Sequence, residues 1–439
     1  MIKKSRFNNL LGFIFIFDCV VLPVIKIAGL SFKSSYVISL VCLVLYCVDL
    51  LKGTKRLDSS TRKTALMLFG FMALICFGEL YAVLLFDVNV TEKFLKILIG
   101  CFLMVGSLYF GYICHVDIWN SAFWCFVFNV IINCTLALLG RSAPSLLLKI
   151  YSISVDTFID GYYRNGGIIG NPNSSLLIMN LILMAVVLLY SFDKIKLSNF
   201  KIAMLYVLSI ACDIIVSSRG ELLHTIFILS YLTYHFIKKN NDFIKFLAKM
   251  CGVVIIVILA LFTFKNALIN KFPNIEISLE RMLSLESLFS TSDEDALLSS
   301  IERPLYKLNV FAERFQYSPV WGSGIDGEGN ISAFVKGTTG YHNDIFMILG
   351  AAGIIGFLLW FGIIKKAVRQ IGIVVLSPFL ISALSNTFLQ SYAATMIYFF
   401  VIGYCYRNCH KEVNVKNTAG YYINPCSVDK IPLDKTENV

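Results

Sequence analysis

Charge is scarce in this chain. Asp, Glu, Lys and Arg make up 15% of its 439 residues, while the residues AVILMFWYC make up 57% and the mean hydropathy is +0.74. A soluble domain of this size has no means of hiding so much apolar surface, and long uncharged runs recur from end to end, which excludes a soluble protein. Paired thiols are missing too. The 13 cysteines, among them Cys19, Cys42, Cys47, Cys76, Cys101, Cys114, Cys134 and Cys251, sit in apolar segments with neither a CxxC pair nor a metal-type histidine spacing. They read as small packed side chains, which argues against a disulfide framework. Residues 1–30 lack a small-residue cleavage site, so the apolar run there is expected to be a retained span. No internal repeat or low-complexity tract is evident.

What is present is the pattern of an all-α, polytopic membrane helix bundle. Spans are expected at 10–30, 34–51, 65–86, 94–114, 119–140, 172–192, 201–217, 221–237, 244–264, 342–364, 371–386 and 388–406. The seventh, eighth and eleventh are short for a hydrocarbon core of about 30 Å. Lys3, Lys4 and Arg6 precede the first span, Lys52, Lys55, Arg56, Arg62 and Lys63 follow the second, and Lys194, Lys196 and Lys201 follow the sixth. Lys238 and Lys239 follow the eighth, and Lys365, Lys366 and Arg369 the tenth. With about twelve crossings all of these fall on one side, the cytoplasm, together with the tail that holds Arg407 and Lys411. The net charge of +10 follows from those loops and calls for no nucleic acid. The expected organisation is one transmembrane domain, 1–410, and a polar cytoplasmic tail, 411–439. Residues 141–171 and a large, partly helical extracytoplasmic loop, 265–341, lie opposite the cytoplasm, and a loop that long is usually functional.

Three polar clusters share that opposite face. The first, Arg164-Asn165-Gly166-Gly167-Ile168-Ile169-Gly170-Asn171-Pro172-Asn173, leads into a span; Pro172 suits a first helical turn and Asn171 a cap. Capping alone accounts for much of it, while free N–H groups at such a start also bind anions. The second is Ser217-Ser218-Arg219-Gly220-Glu221, where Arg219 is the only Lys or Arg between Lys201 and Lys238. An arginine near hydrocarbon costs a few kcal/mol, so it is buried against a partner, faces a watery recess or snorkels to the headgroups. Its planar fork suits a phosphate, and an ion pair with Glu221 is the structural alternative. The third runs from Glu302-Arg303-Pro304-Leu305-Tyr306 through Ser318-Pro319-Val320-Trp321-Gly322-Ser323-Gly324 to Gly340-Tyr341-His342-Asn343-Asp344, at the start of a span. A helix start disfavours protonation of His342, and a neutral imidazole there could accept a proton from an alcohol. The alternative is a headgroup-level histidine bonded to Asn343 or Asp344.

The order of these motifs, followed by Leu349-Gly350-Ala351-Ala352-Gly353-Ile354-Ile355-Gly356-Phe357, resembles the bacterial O-antigen ligase/polymerase superfamily over residues 160–405. The resemblance implies a metal-independent, cofactor-free glycosyltransferase of the bacterial cytoplasmic membrane, acting at the outer leaflet on an undecaprenyl-diphosphate-linked glycan. It implies that Arg219 and Arg303 hold the diphosphate and that His342 orients or deprotonates the acceptor hydroxyl, these three being the catalytic candidates. Arg281 is a rival for the role of Arg303. Arg164, Asn171, Asn173, Glu221, Tyr306, Asn343 and Asp344 complete the expected substrate-binding set. Partners implied are the lipid-linked glycan, the bilayer, a flippase and a chain-length regulator. The fragmentary motifs favour a polymerase over the alternative, a ligase that hands the glycan to lipid A core. A carrier or lipid-linked sugar flippase would carry charge deep in several spans or show repeat symmetry, and ranks behind both.

Overall fold

The computed structural model describes residues 2–22, 25–27, 30–53, 58–86, 92–114, 121–142, 158–159, 162–163, 172–216, 218–240, 311–312, 315–316, 318–324, 343–382, 388–389 and 391–409. In chain order the elements are α1 (Ile2–Val20), β1 (Ile25–Ile27), β2 (Leu30–Phe32), α2 (Ser34–Leu51), α3 (Ser59–Phe86), α4 (Glu92–Ile113) and α5 (Ala122–Ser142). Then come β3 (Phe158–Ile159), β4 (Tyr162–Tyr163), α6 (Pro172–Ser191), α7 (Asn199–Val216) and α8 (Arg219–Asn240). After α9 (Asp344–Gln370), a 3-10 turn (Ile373–Leu376) and α10 (Ser377–Ser382) precede α11 (Tyr392–Asn408). The strands form two small antiparallel ribbons, pairing Ile25 with Phe32 and Phe158 with Tyr163.

Among the described residues, 6 helices are long and apolar enough to cross a membrane: Ser34–Leu51, Ser59–Leu85, Phe94–Ile113, Asn173–Ser191, Asn199–Val216 and Asp344–Gln370. The expected ninth span, 244–264, lies outside the described residues, as do most of the expected loop 265–341 and the tail 411–439. Sequence spacing explains how each helix faces its surroundings. On α2, Val37, Leu40, Val41, Val44 and Leu45 recur at helical spacing and are exposed, while Ser35, Ser39, Cys42 and Tyr46 are buried on the opposite side. That apolar exposed stripe suits lipid. Only 22% of the α2 span is buried against 89% of α6, so α2 lies at the rim and α6 at the centre.

Lipid is as apolar as leucine, so close packing rather than hydrophobicity holds such helices together. Helix α4 packs against α2, α3 and α11. A side chain at Gly111 would run into the backbone of Phe400, and one at Gly403 into the backbone of Leu108, so glycine on both helices lets α4 and α11 touch. Phe15, Phe110 and Phe400 then meet with ring centroids 4.9–5.4 Å apart and join α1 to that pair.

Two expected spans take a different form. The first helix ends at Val20 rather than near 30, and the chain goes into the β1–β2 ribbon. Pro23 supplies a reason, since a residue before proline is biased away from helix. The end of α1 is also chemically sealed. The buried Lys33 donates from Nζ to the carbonyls of Asp18 (2.9 Å) and Leu22 (2.8 Å), Asn129 donates to the carbonyl of Val20 (2.5 Å), and Asp18 Oδ2 accepts the N–H of Ser35 (2.7 Å). These bonds satisfy carbonyls that a helix end leaves open and favour a cation there.

The expected eleventh span, 371–386, is not one helix. At one end of α9, Gln370 donates to Ser60 Oγ (2.6 Å); at the other, Asp344 accepts the N–H groups of Phe388 (2.8 Å) and Leu389 (3.2 Å). Gly372 instead has φ 139° and opens a 3-10 turn before α10, while Phe388 and Leu389 lie at the start of α9. Tyr398 donates to the carbonyl of Val375 in that turn (3.0 Å).

Replacing Lys33 by Met keeps an apolar stem and removes both carbonyl bonds. The expected loss is about 1–3 kcal/mol, read as a lower thermal midpoint in detergent; an unchanged midpoint would contradict the sealing role.

Candidate active site

The starts of α6, α8, α9 and α11 gather at one end of the bundle. Lys239 near the end of α8 donates to the carbonyl of Tyr190 near the end of α6, and Lys366 near the end of α9 lies over the ring of Tyr406 near the end of α11 (5.9 Å). Helices α6 and α8 thus run in the same direction, as do α9 and α11, and Gly372 just beyond α9 lies against Tyr231 in the second half of α8. Asp344, the first residue of α9, holds the segment just ahead of α11. Each helix start carries a partial positive charge that favours an anion, and at α9 and α11 the first N–H groups are capped by Asn343 and Ser391.

Two of the sequence clusters meet here. Helix α6 starts at Pro172, as its missing N–H allows, and α8 starts at Arg219. Between α7 and α8 the buried Ser218 donates from Oγ to Asn173 Oδ1 (2.8 Å), and its N–H reaches the carbonyl of Asp213 (3.4 Å). Arg219 is thereby placed at the first turn of α8, beside the start of α6. Its side chain lies outside the described residues.

Below the turn is a buried polar chain. Asn180 donates from Nδ2 to both the carbonyl and Oε2 of Glu221 (3.1 Å each). Thr225 donates to Asn180 Oδ1 (2.7 Å), which fixes the amide orientation. His224 Nδ1 lies 3.2 Å from Glu221 Oε2, and its Nε2 lies 2.9 Å from Ser377 Oγ on α10. A carboxylate oxygen only accepts, so Nδ1 is the donor to Glu221, while Ser377 Oγ lies between His224 Nε2 and Met184 Sδ (3.9 Å). Glu221 is therefore engaged by Asn180 and His224, which the sequence alone had not indicated.

The third cluster is held by a broken helix. Gly353, inside α9, has φ 64° and ψ −167°, a conformation open only to glycine. The break takes the carbonyls of Gly350 and Ala351 away from their usual donors, the N–H groups of Ile354 and Ile355. Residues 319–324 satisfy all four groups. Ile354 and Ile355 donate to the carbonyls of Pro319 (2.9 Å) and Val320 (3.3 Å), while Ser323 and Gly324 donate to those of Gly350 (2.8 Å) and Ala351 (3.2 Å). Contact is so close that a Cβ on Gly353 would lie 2.6 Å from the nitrogen of Gly322, and one on Gly324 2.7 Å from Cα of Glu79 on α3. Trp321 meets Phe77 edge-on (5.7 Å), and Phe311 stacks on Phe346 (4.8 Å), so this part of the expected loop packs on the bundle.

Asn343, not His342, caps α9: its Oδ1 accepts the N–H groups of Ile345 (2.9 Å) and Phe346 (3.3 Å). Asp344 is buried on the N–H groups of Phe388 and Leu389, so both residues hold backbone. Asn343 and Ala351, the bonding partner of Gly324, are about 12 Å apart along the helix. His342 itself, and Arg164, Asn171, Arg281, Arg303 and Tyr306, lie outside the described residues. Of the expected residues, the structure brings together Asn173 and the backbone of Arg219 with Glu221 below them, and sets Asn343 and Asp344 at the same end.

Gly353→Ala should be incompatible with both the backbone and the inserted segment, with folded yield or activity falling by tenfold or more, about 1.4 kcal/mol or beyond. Gly362→Ala, in the same helix with only Met67 Sδ at 3.4 Å, should be tolerated. Equal behaviour of the two variants in a thermal-stability and activity comparison would contradict the splice.

No curated protein and no solved structure matches the chain. Residues 204–361 match the family model described as O-Antigen ligase, a stretch that contains Arg219, Glu221, Arg281, Arg303, Tyr306, His342, Asn343 and Asp344. Members of that family are glycosyltransferase-like enzymes acting on lipid-linked glycans. The match supports for this chain the O-antigen ligase/polymerase superfamily that its motifs resemble.

Proposed function

We propose that the protein is a membrane glycosyltransferase that polymerises undecaprenyl-diphosphate-linked repeat units at the outer leaflet of the bacterial cytoplasmic membrane. The observation that carries this reading is the meeting of the Ser218–Arg219 turn with Asn173 at an end where several helices start. That is a place suited to a diphosphate. In the proposed reaction the acceptor hydroxyl attacks the anomeric carbon of the donor, and the bond from that carbon to the diphosphate oxygen breaks. Charge then grows on a leaving group that needs cations rather than a general acid. Arg219 and Arg303 supply them as forked donors that stay charged. His342 takes or steers the proton of the hydroxyl. Arg281 is the rival of Arg303, and Arg164 and Tyr306 are further contacts; no metal is required.

A ligase is the second reading, favoured by the description of the matched family. Purified protein given only lipid-diphosphate repeat units separates the two. A ladder of lengthened lipid-linked products, unaffected by chelators, is expected; transfer that requires added lipid A core would make the protein a ligase. Arg219→Lys keeps the charge but loses the fork, so donor-dependent turnover should fall about 10- to 100-fold. Wild-type turnover in that variant would refute the phosphate clamp. Cysteine labelling should find residue 300 outside and residue 240 inside, and a cytoplasmic residue 300 would put the proposed reaction on the wrong face.

A further inference from the structure

Asn180, Glu221, His224, Thr225 and Ser377 are each at most 1% exposed. They come from α6, α8 and α10. Groups buried this deeply in an apolar bundle must bond to protein, here to one another and, for Ser377, also to Met184 Sδ (3.9 Å), and ionisable residues there usually mark function. Every bond converges on the first turns of α8. Asn180 holds the main chain and the side chain of Glu221 with one amide group. His224, one turn further on, holds the same carboxylate oxygen and reaches across to Ser377. Thr225 fixes the amide of Asn180. Such a set determines the rotation of α8 about its axis and its depth against α6. Arg219 stands on that same first turn, two residues before Glu221, with Ser218 bonded to Asn173 at the upper end of α6.

We infer that Asn180, Glu221 and His224 are positioning residues: a buried hydrogen-bonded staple between α6, α8 and α10 that sets the pose of Arg219 toward the lipid-diphosphate donor. This rests on the reading of the Arg219 turn as a diphosphate clamp. Glu221 acts in it as an acceptor. Its Oε2 takes two donors, whereas its Oε1 has no hydrogen-bond partner among the described residues. A glutamine can keep the accepting oxygen and place its amide nitrogen on the other side, so shape and bonding matter more than charge.

The test joins an exchange measurement to a kinetic cycle on the full-length protein in detergent or nanodiscs. Asn180→Ala should speed amide hydrogen exchange over residues 218–224 by about tenfold while leaving α2 and α4 unchanged. In turnover of a lipid-diphosphate oligosaccharide, Asn180→Ala and Glu221→Ala should each raise the donor KM about tenfold at equal folded protein, and Glu221→Gln should recover most of that loss. If the staple works through Arg219, adding Asn180→Ala to Arg219→Lys should cost little more than Arg219→Lys alone. Multiplying losses in that double variant, or a Glu221→Gln as impaired as Glu221→Ala, would overturn the proposal. So would unchanged exchange at 218–224 with wild-type transfer intact. A wild-type protein that transfers nothing from any lipid-diphosphate glycan would instead sink the reading beneath it, and with it the link from this staple to the donor.

Discussion

Inside an apolar bundle a broken helix leaves donors and acceptors that water does not reach, and each unsatisfied group costs a few kcal/mol. The break in α9 at Gly353 is tolerable because Pro319 to Gly324 take up the displaced partners one for one. Two carbonyls of the segment receive the freed N–H groups, and two N–H groups of the segment fill the freed carbonyls. Only glycine fits at Gly322, Gly324 and Gly353, because the two backbones approach to contact and φ is positive at each. The consequence is positional. Residues 318–324 are fixed to α9 and α3, and Asn343, the residue after His342, is fixed to the start of α9.

The same constraint shapes the other half of the site. Helices α6 and α8 bring polar side chains into the bundle, and those side chains bond across helices rather than to lipid. Ser218 on Asn173, and Asn180 on Glu221, tie the turn that contains Arg219 to α6, a helix at the centre of the bundle. Helix starts at Pro172, Arg219 and Asp344 then share one end, where their partial positive charges add to the charge of Arg219. The arrangement suits a ligand with two phosphates, and the reading of the chain as a transferase of lipid-linked glycans grows from that suitability together with the family match over residues 204–361.

Much of this was legible in the sequence where periodicity or a special residue spoke locally. The apolar run 34–51 is helix α2 to the residue, and Pro172 does open α6. Less visible were features set by tertiary partners. The end of α1 at Val20 depends on Lys33 and Asn129, which are distant in sequence. Residues 371–386 have the hydropathy of a span, but Gly372 at φ 139° and the bond from Tyr398 to Val375 go with a 3-10 turn at its start. The glycines of the 349–357 motif signalled kinship without signalling a break, because glycine is also common in unbroken membrane helices. Asn180 and His224 were passed over although a polar or ionisable residue in an apolar span is a recognisable sign. Their bonding partners, Glu221 and Ser377, could not be paired without the fold. Asn343 and Asp344 were expected near substrate; the structure gives both a backbone to hold.

The central claim is that the donor diphosphate sits at the end of the bundle where α6 and α8 begin. A cryo-EM reconstruction of the protein with a non-transferable lipid-diphosphate oligosaccharide tests it most directly. The account predicts phosphate density within hydrogen-bond reach of the Ser218–Gly220 turn and the Arg219 guanidinium, with the prenyl chain lying along the lipid-facing surface. Density for the diphosphate at the opposite end, near Lys194 and Lys239, would contradict it.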